Sequence, residues 1–347
     1  MVEPASPSSI SGGGDGTPIV FVPGIKGSAL ADADGDIVFL TRLEAMGLSN
    51  PGLASPLHFT GTTQDRDGRQ PAGILREMYI VPGLVGEEIY GPWIDALARL
   101  PRPAYLFPYD WRRDNLETLD ALAAFVTQVR ERHGKPVQLI GHSMGGMLAL
   151  ALLARGGDDI ARLALVGSPL RGGIGFLPDL HDGVPVGLSG SLLAPEVVAT
   201  FPSVYSFFPS TPGTDVDIPM LDFFDPAAWP IAQIGPYKGG RNPTPEFSAY
   251  FTTAIGRAKE FRSLLELEPE TNVPITVVAG DGLPTLASVR HDGSTWDFAS
   301  TPRAPGDGRV LIERAQPRRL KYDLVTTKAE HAALLNDPRV IDALLGP

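Results

Sequence analysis

Five residues, Gly141-His142-Ser143-Met144-Gly145, stand between the apolar run Val137-Gln138-Leu139-Ile140 and the apolar stretch from Gly146 to Leu153. A short buried strand that breaks at glycines into an apolar helix is the setting in which G-x-S-x-G makes a sharp turn with its serine exposed at the strand's carboxyl end. Such a turn strains the serine backbone, and Gly141 and Gly145 supply the small flanks it needs. The Met144 amide would then point to where an oxyanion forms, at the positive end of the following helix. The bland alternative is a glycine-rich turn with an incidental serine, and the strand and helix on either side weigh against it.

Around this turn the apolar pattern alternates between short buried runs and helical spacing. Pro18 to Val22 reads as a strand ending in the loop Pro23-Gly24-Ile25-Lys26-Gly27-Ser28, where Ile25, just after the tight Pro-Gly turn, is the candidate for a second oxyanion amide. Tyr90 to Leu100 reads as a helix, Ala104 to Phe107 as a strand and Leu116 to Arg132 as an amphipathic helix. Arg162 to Val166, Val273 to Ala279 and Tyr322 to Val325 are further strands, and Asp337 opens a closing helix. Strands alternating with helices imply an α/β fold with right-handed crossovers and a mostly parallel central sheet.

Residues 30–90 lack sustained periodicity and read as a surface excursion. From 171 to 270 the alternation stops and Pro, Gly and aromatic residues take over, among them Phe207, Phe208 and Trp229. An insertion at this place is expected to be a cap or lid over the site, its aromatics forming either cap core or pocket lining. The expected organisation is a flexible lead at 1–17, a first part of the core at 18–170, the cap at 171–270, and a second part of the core at 271–347.

The net charge of −11, from 29 basic and 40 acidic residues, argues against a nucleic-acid partner. With no cysteine, disulfides, thiolate metal sites and a cysteine nucleophile are excluded. No run reaches the ~18–20 apolar residues of a membrane span, and the Pro/Ser/Gly-rich lead lacks the basic start and apolar stretch of a signal peptide. A cytoplasmic protein is expected, or a secreted one if a leader has been removed.

An activated serine needs a base within reach and an acid that orients the base. On a sheet with a serine elbow the chain order is serine, acid, histidine. Of His181, His291 and His331, which follow Ser143, only His331 stands between the last short strand and the last helix. His142 is too close in sequence to face Ser143 and is expected to support the elbow. Two acids qualify: Asp281 directly follows a strand, Asp307 stands nearer to His331, and both lie between glycines.

With these pieces in order, the chain resembles the lecithin:cholesterol acyltransferase family, which includes lysosomal phospholipases and phospholipid:diacylglycerol acyltransferases. The matching stretches are Pro18 to Leu30, Pro108-Tyr109-Asp110-Trp111-Arg112, Gly141 to Gly146, Gly280-Asp281-Gly282-Leu283-Pro284-Thr285, Gly306-Asp307-Gly308-Arg309-Val310 and Glu330 to Leu335. The resemblance implies an α/β-hydrolase fold with an inserted cap, Ser143 as nucleophile, Asp307 as acid, His331 as base, and the Ile25 and Met144 amides as oxyanion hole. Asp281 falls on a variable position of the family's pattern. Departures are the missing cysteines, the absence of an evident secretion signal, and a cap without a quotable counterpart. The activity implied is serine-dependent hydrolysis of acyl esters or lipid-like substrates without metal or organic cofactor. The alternatives are transfer or cyclisation onto an alcohol acceptor, and a non-catalytic binding protein on the same fold. Transient contact with a lipid interface is compatible with each, and the oligomeric state is left open.

Overall fold

Six short apolar strands set the central sheet: β1 (Ile19–Val22), β2 (Ala104–Leu106), β3 (Val137–His142), β4 (Ile160–Val166), β5 (Ile275–Gly280) and β6 (Asp323–Thr327). They lie in the order β6-β5-β4-β3-β1-β2, every neighbouring pair parallel. This computed structural model describes residues 8–11, 14–81, 85–186, 188–293 and 295–346. β1 and β3 are buried at every position, because helices cover both faces of the sheet and no strand face is left to be polar. Alternate residues feed two cores. Val20, Val22 and Leu139 pack with α2 (Asn115–His133) and α3 (Met144–Ala154). Ile19, Phe21 and Ile140 pack with α1 (Gly91–Ala98) and the C-terminal helix at Pro338–Leu345.

Helix limits follow from local chemistry. Asp114 caps α2 by accepting from the Leu116 and Glu117 amides at 2.7 and 3.2 Å, and Gly134 ends it at φ 62°. α3 is apolar all round because it is buried all round, from Met144 through Leu153. Register places the site: Val22 pairs with Gly141, so the loop after β1 lies level with the serine turn after β3.

The segment between β4 and β5 carries α4 (Leu177–Asp182), several short turns and the long α5 (Pro245–Leu267). The sequence reads as helical from Ala254 to Leu267, but Thr244 caps the Phe247 amide and Pro245 fills the first helical position, so α5 starts nine residues earlier. A ring cluster holds this insertion together. Phe208 stacks on Phe223 at 4.6 Å, and Trp229 meets Tyr205 and Phe251 edge-on at 5.6 and 5.1 Å.

The 30–90 excursion is built of antiparallel pieces rather than irregular chain. Ser28–Ala31 pairs with Ile37–Phe39 and with Gln70–Ile74, and two further hairpins follow the same pattern. Strands of two to five residues are too short for a period of two to show in sequence. Of the expected lead, residues 1–7 and 12–13 lie outside the described residues; Ser11 Oγ donates to Arg102 O at 2.6 Å, and the Ile10 amide to Ala104 O at 2.8 Å, beside β2. Among the described residues no helix is long and apolar enough to cross a membrane.

Candidate active site

Ser143 links β3 to α3 at φ 54°, ψ −120°, a conformation that costs on the order of 1–3 kcal/mol for a residue with a side chain. The surroundings hold it there. A Cβ on Gly141 would stand 2.4 Å from Gly145 O, and one on Gly145 2.2 Å from Val22 O, so both glycines are required by close backbone approach. The Ser143 amide donates to Val166 O at 2.8 Å, fastening the turn to β4.

His331 Nε2 lies 2.9 Å from Ser143 Oγ, and His331 Nδ1 lies 2.8 Å from Asp307 Oδ2. The other oxygen of Asp307 accepts from the Arg309 and Val310 amides at 2.9 and 2.7 Å. Asp307 is 2% exposed, and burial works to raise its carboxyl. The His331 charge and hydrogen bond, with those two amides, outweigh it and hold the carboxyl below its usual range. The His331 amide also donates to Asp307 O at 2.9 Å, so the two residues are joined through main chain and side chain alike.

The loop after β1 is held from three sides. Tyr109 Oη donates to Pro23 O at 2.8 Å, Trp111 Nε1 donates to Ser28 O at 3.0 Å, and the Gly27 amide donates to Gly24 O at 3.0 Å. Arg112, 1% exposed, anchors this support through Asp110 at 2.7 Å and Asp67 at 2.8 Å. The stretch Tyr109-Asp110-Trp111-Arg112 therefore positions the loop. Among the described residues, neither the Ile25 nor the Met144 amide has a backbone acceptor, and a Cβ on Gly24 would stand 2.9 Å from Ser143 Cβ.

A second hydrogen-bond chain ties this loop to His331. The Gly24 amide donates to Tyr90 Oη at 2.9 Å, Tyr90 Oη lies 2.7 Å from His142 Nδ1, and His142 Nε2 lies 3.0 Å from His331 O. An amide can only donate and a carbonyl only accept, so the direction is set: Tyr90 donates to Nδ1, and the proton of His142 sits on Nε2. Burial, with the neighbouring His331, lowers His142 to about 3, which keeps it neutral. Burial pushes the Tyr90 hydroxyl up.

Ser143, His331 and Asp307 border a cavity of about 410 Å³ between the sheet's carboxyl edge and the inserted segment. Ile174, Phe176 and Phe207 of the insertion and Leu283 and Leu286 of the core make its apolar walls. Lys26, Asp179 and Arg309 bring charge to it, the last two paired at 2.8 Å. Among the described residues, no group of three or more His, Asp or Glu side chains is arranged to hold a metal ion.

Residues 100–230 match the model of the lecithin:cholesterol acyltransferase family. That segment runs from β2 through the serine turn into the insertion, and it contains Ser143 and Met144 but not Ile25, Asp307 or His331. Among solved structures, the Tle4–Tli4 complex is similar with a TM-score of 0.60 and 15% identity, covering 95% of this chain and 97% of that one. A lipase of Bacillus licheniformis, BlEst2 in its mature form, aligns with a TM-score of 0.45 and 13% identity over 95% and 91%. No curated protein matches the chain in sequence. The sheet order and the first of these likenesses are those of the α/β-hydrolase fold.

Within this fold, the two candidate acids part. Asp307 meets His331, while the carboxylate of Asp281 pairs with Lys328 at 3.0 Å. The two adjacent phenylalanines part as well: Phe207 faces the cavity and tilts on Phe176 at 4.9 Å, whereas Phe208 belongs to the ring cluster of the insertion. Lys26, in the loop expected at the site, borders the cavity, and so does Tyr90, which nothing in the sequence pattern marked for it. Tyr90 reads simply as a helix start, and its partners Gly24 and His142 stand 66 and 52 residues away.

Proposed function

We propose that the chain is a serine-dependent acyl-ester hydrolase acting on lipid-like esters through an acyl-serine. The unbroken hydrogen-bond chain Asp307–His331–Ser143 at the cavity wall is the observation that carries this reading. His331 Nε2 takes the Ser143 proton as Oγ attacks the ester carbonyl. The resulting oxyanion is held by the Ile25 and Met144 amides, and losing one such donor costs about 2.7–4 kcal/mol in the barrier. Collapse breaks the bond to the leaving alkoxide, which receives the proton from His331, and Ser143 keeps the acyl group. Water, deprotonated by His331, then releases the acid. Asp307 fixes the imidazole tautomer and stabilises its charged form. Residues 171–270 act as the cap, with Phe207 and Phe176 against the acyl chain.

The match to an acyltransferase family model favours a second reading, in which an alcohol takes the place of water at the acyl-serine. Intact-mass spectrometry separates the two. The protein is incubated with esters of increasing chain length, with and without added alcohols, and both adduct and products are read. An acyl adduct with free acid supports hydrolysis, and transesterified product formed at the expense of acid supports transfer. Neither adduct nor product across the panel would contradict both.

A further inference from the structure

A second cavity, of about 830 Å³, shares Arg314 with the cavity at Ser143 and is otherwise separate from it. Five arginines line it, Arg171, Arg262, Arg314, Arg318 and Arg319, together with Glu266 and Glu268. In a chain of net charge −11 that concentration is not a matter of composition.

The nearby carboxylates leave much of this charge unanswered. Glu268 is engaged by backbone, accepting from the Arg318, Arg319 and Leu320 amides. Arg319 donates to the carbonyls of Glu266 and Leu267 at the end of α5. Arg314 is partly balanced by Asp215 at 2.5 Å and Glu313 at 3.7 Å. Arg262 is 2% exposed and donates to two carbonyls, Pro169 O at 3.2 Å and Leu170 O at 2.8 Å; among the described residues it pairs with no carboxylate. The Nε groups of Arg171, Arg262 and Arg314 and the Ser210 hydroxyl, all around this cavity, have no hydrogen-bond partner among the described residues. Burial foremost lowers Arg262 to about 10, and burial followed by the charges of Arg318 and Arg314 lowers Arg171. A buried guanidinium without a counter-ion is costly, and planar N–H forks are matched by phosphate oxygens.

We propose that this cavity binds a phosphate group, a dianion seated among Arg171, Arg262 and Arg318, in a place distinct from the acyl site. The group could arrive free, on a soluble phosphomonoester or as a lipid headgroup, and the chemistry of recognition is the same. The site does not depend on Ser143 or on ester turnover.

Calorimetric titration of the full chain with inorganic phosphate and with glycerol 1-phosphate, at matched ionic strength, reads the soluble sources. Co-sedimentation with phosphatidic acid vesicles, against phosphatidylcholine vesicles, reads the headgroup. Arg171→Gln and the exposed Arg318→Gln are compared with wild type, and Arg262→Gln is added where it folds. The proposal expects saturable binding of at least one phosphate source, with Kd raised on the order of tenfold to a hundredfold in Arg171→Gln. Binding of soluble phosphates alone assigns a soluble ligand, and selective loss of phosphatidic acid vesicles in the variants assigns a headgroup. No saturable binding of any probe, or equal binding by wild type and variants, would overturn it.

Discussion

At Ser143 three side chains divide the work that the proposed chemistry requires, and their differences can be measured one at a time. Asp307 has both oxygens engaged by donors, one by His331 Nδ1 and the other by two amides, so its replacement by Asn would present an N–H where an acceptor is needed. Asp307→Asn should lower kcat about ten-thousandfold while the protein stays folded. Asp281→Asn, which loses a pair with the exposed Lys328, should leave kcat within a small factor of wild type. Steady-state kinetics on one soluble ester, with circular dichroism as the folding control, checks both. The reverse order would make Asp281 the acid. Much at this scale was legible in the chain: Ser143 from its glycine setting, His331 from its place before the last helix, and Asp307 from the family resemblance. Tyr90 was not, because a hydrogen bond that spans 52 residues leaves no periodic trace.

The loop after β1, the start of α1, the end of β3 and the turn before the C-terminal helix meet in the chain Gly24–Tyr90–His142–His331. Burial, with the neighbouring His331, pushes His142 down from the ordinary 6.5 to about 3. Below pH 6.5 the unfolded chain binds a proton there that the folded one does not, so this histidine contributes stability above pH 6.5 that is lost as pH falls toward 3. His142→Gln should lower stability at neutral pH and flatten its decline between pH 6.5 and 3, read as urea midpoints across that range. A slope equal to that of wild type would mean that His142 is not held neutral by the fold. Regular amphipathic spacing makes an element legible in the sequence. α2 could be read from Leu116, Leu119, Leu122, Val126 and Val129, all buried on one side. The hairpins of residues 30–90 leave no trace in the sequence because pairs such as Phe59–Thr60 with Thr63–Gln64 carry too few residues to set a pattern.

The molecule as a whole sets the candidate triad between a parallel sheet and an insertion whose aromatic rings cluster together. Phe207 and Phe208 are neighbours in sequence, but Phe207 faces the cavity beside Phe176 while Phe208 packs in the ring cluster, a distinction that depends on tertiary packing and is invisible in a run of aromatics. Phe208→Ala should cost about 3–5 kcal/mol of stability with little change in chain-length preference. Phe207→Ala should shift that preference while the reaction of Ser143 with a small phosphonate is retained. Thermal unfolding and a chain-length series distinguish them, and a shift in preference from Phe208→Ala alone would remove Phe207 from the acyl site. The central claim, that Ser143 is a nucleophile activated by His331 and Asp307, is tested most directly by mapping covalent labelling with an organophosphonate ester. Wild type should carry one phosphonate, on the peptide containing Ser143. Asp307→Asn should label far more slowly, and Ser143→Ala should not label and should lose turnover on the order of a millionfold. Labelling at another residue, or full turnover by Ser143→Ala, would contradict the account.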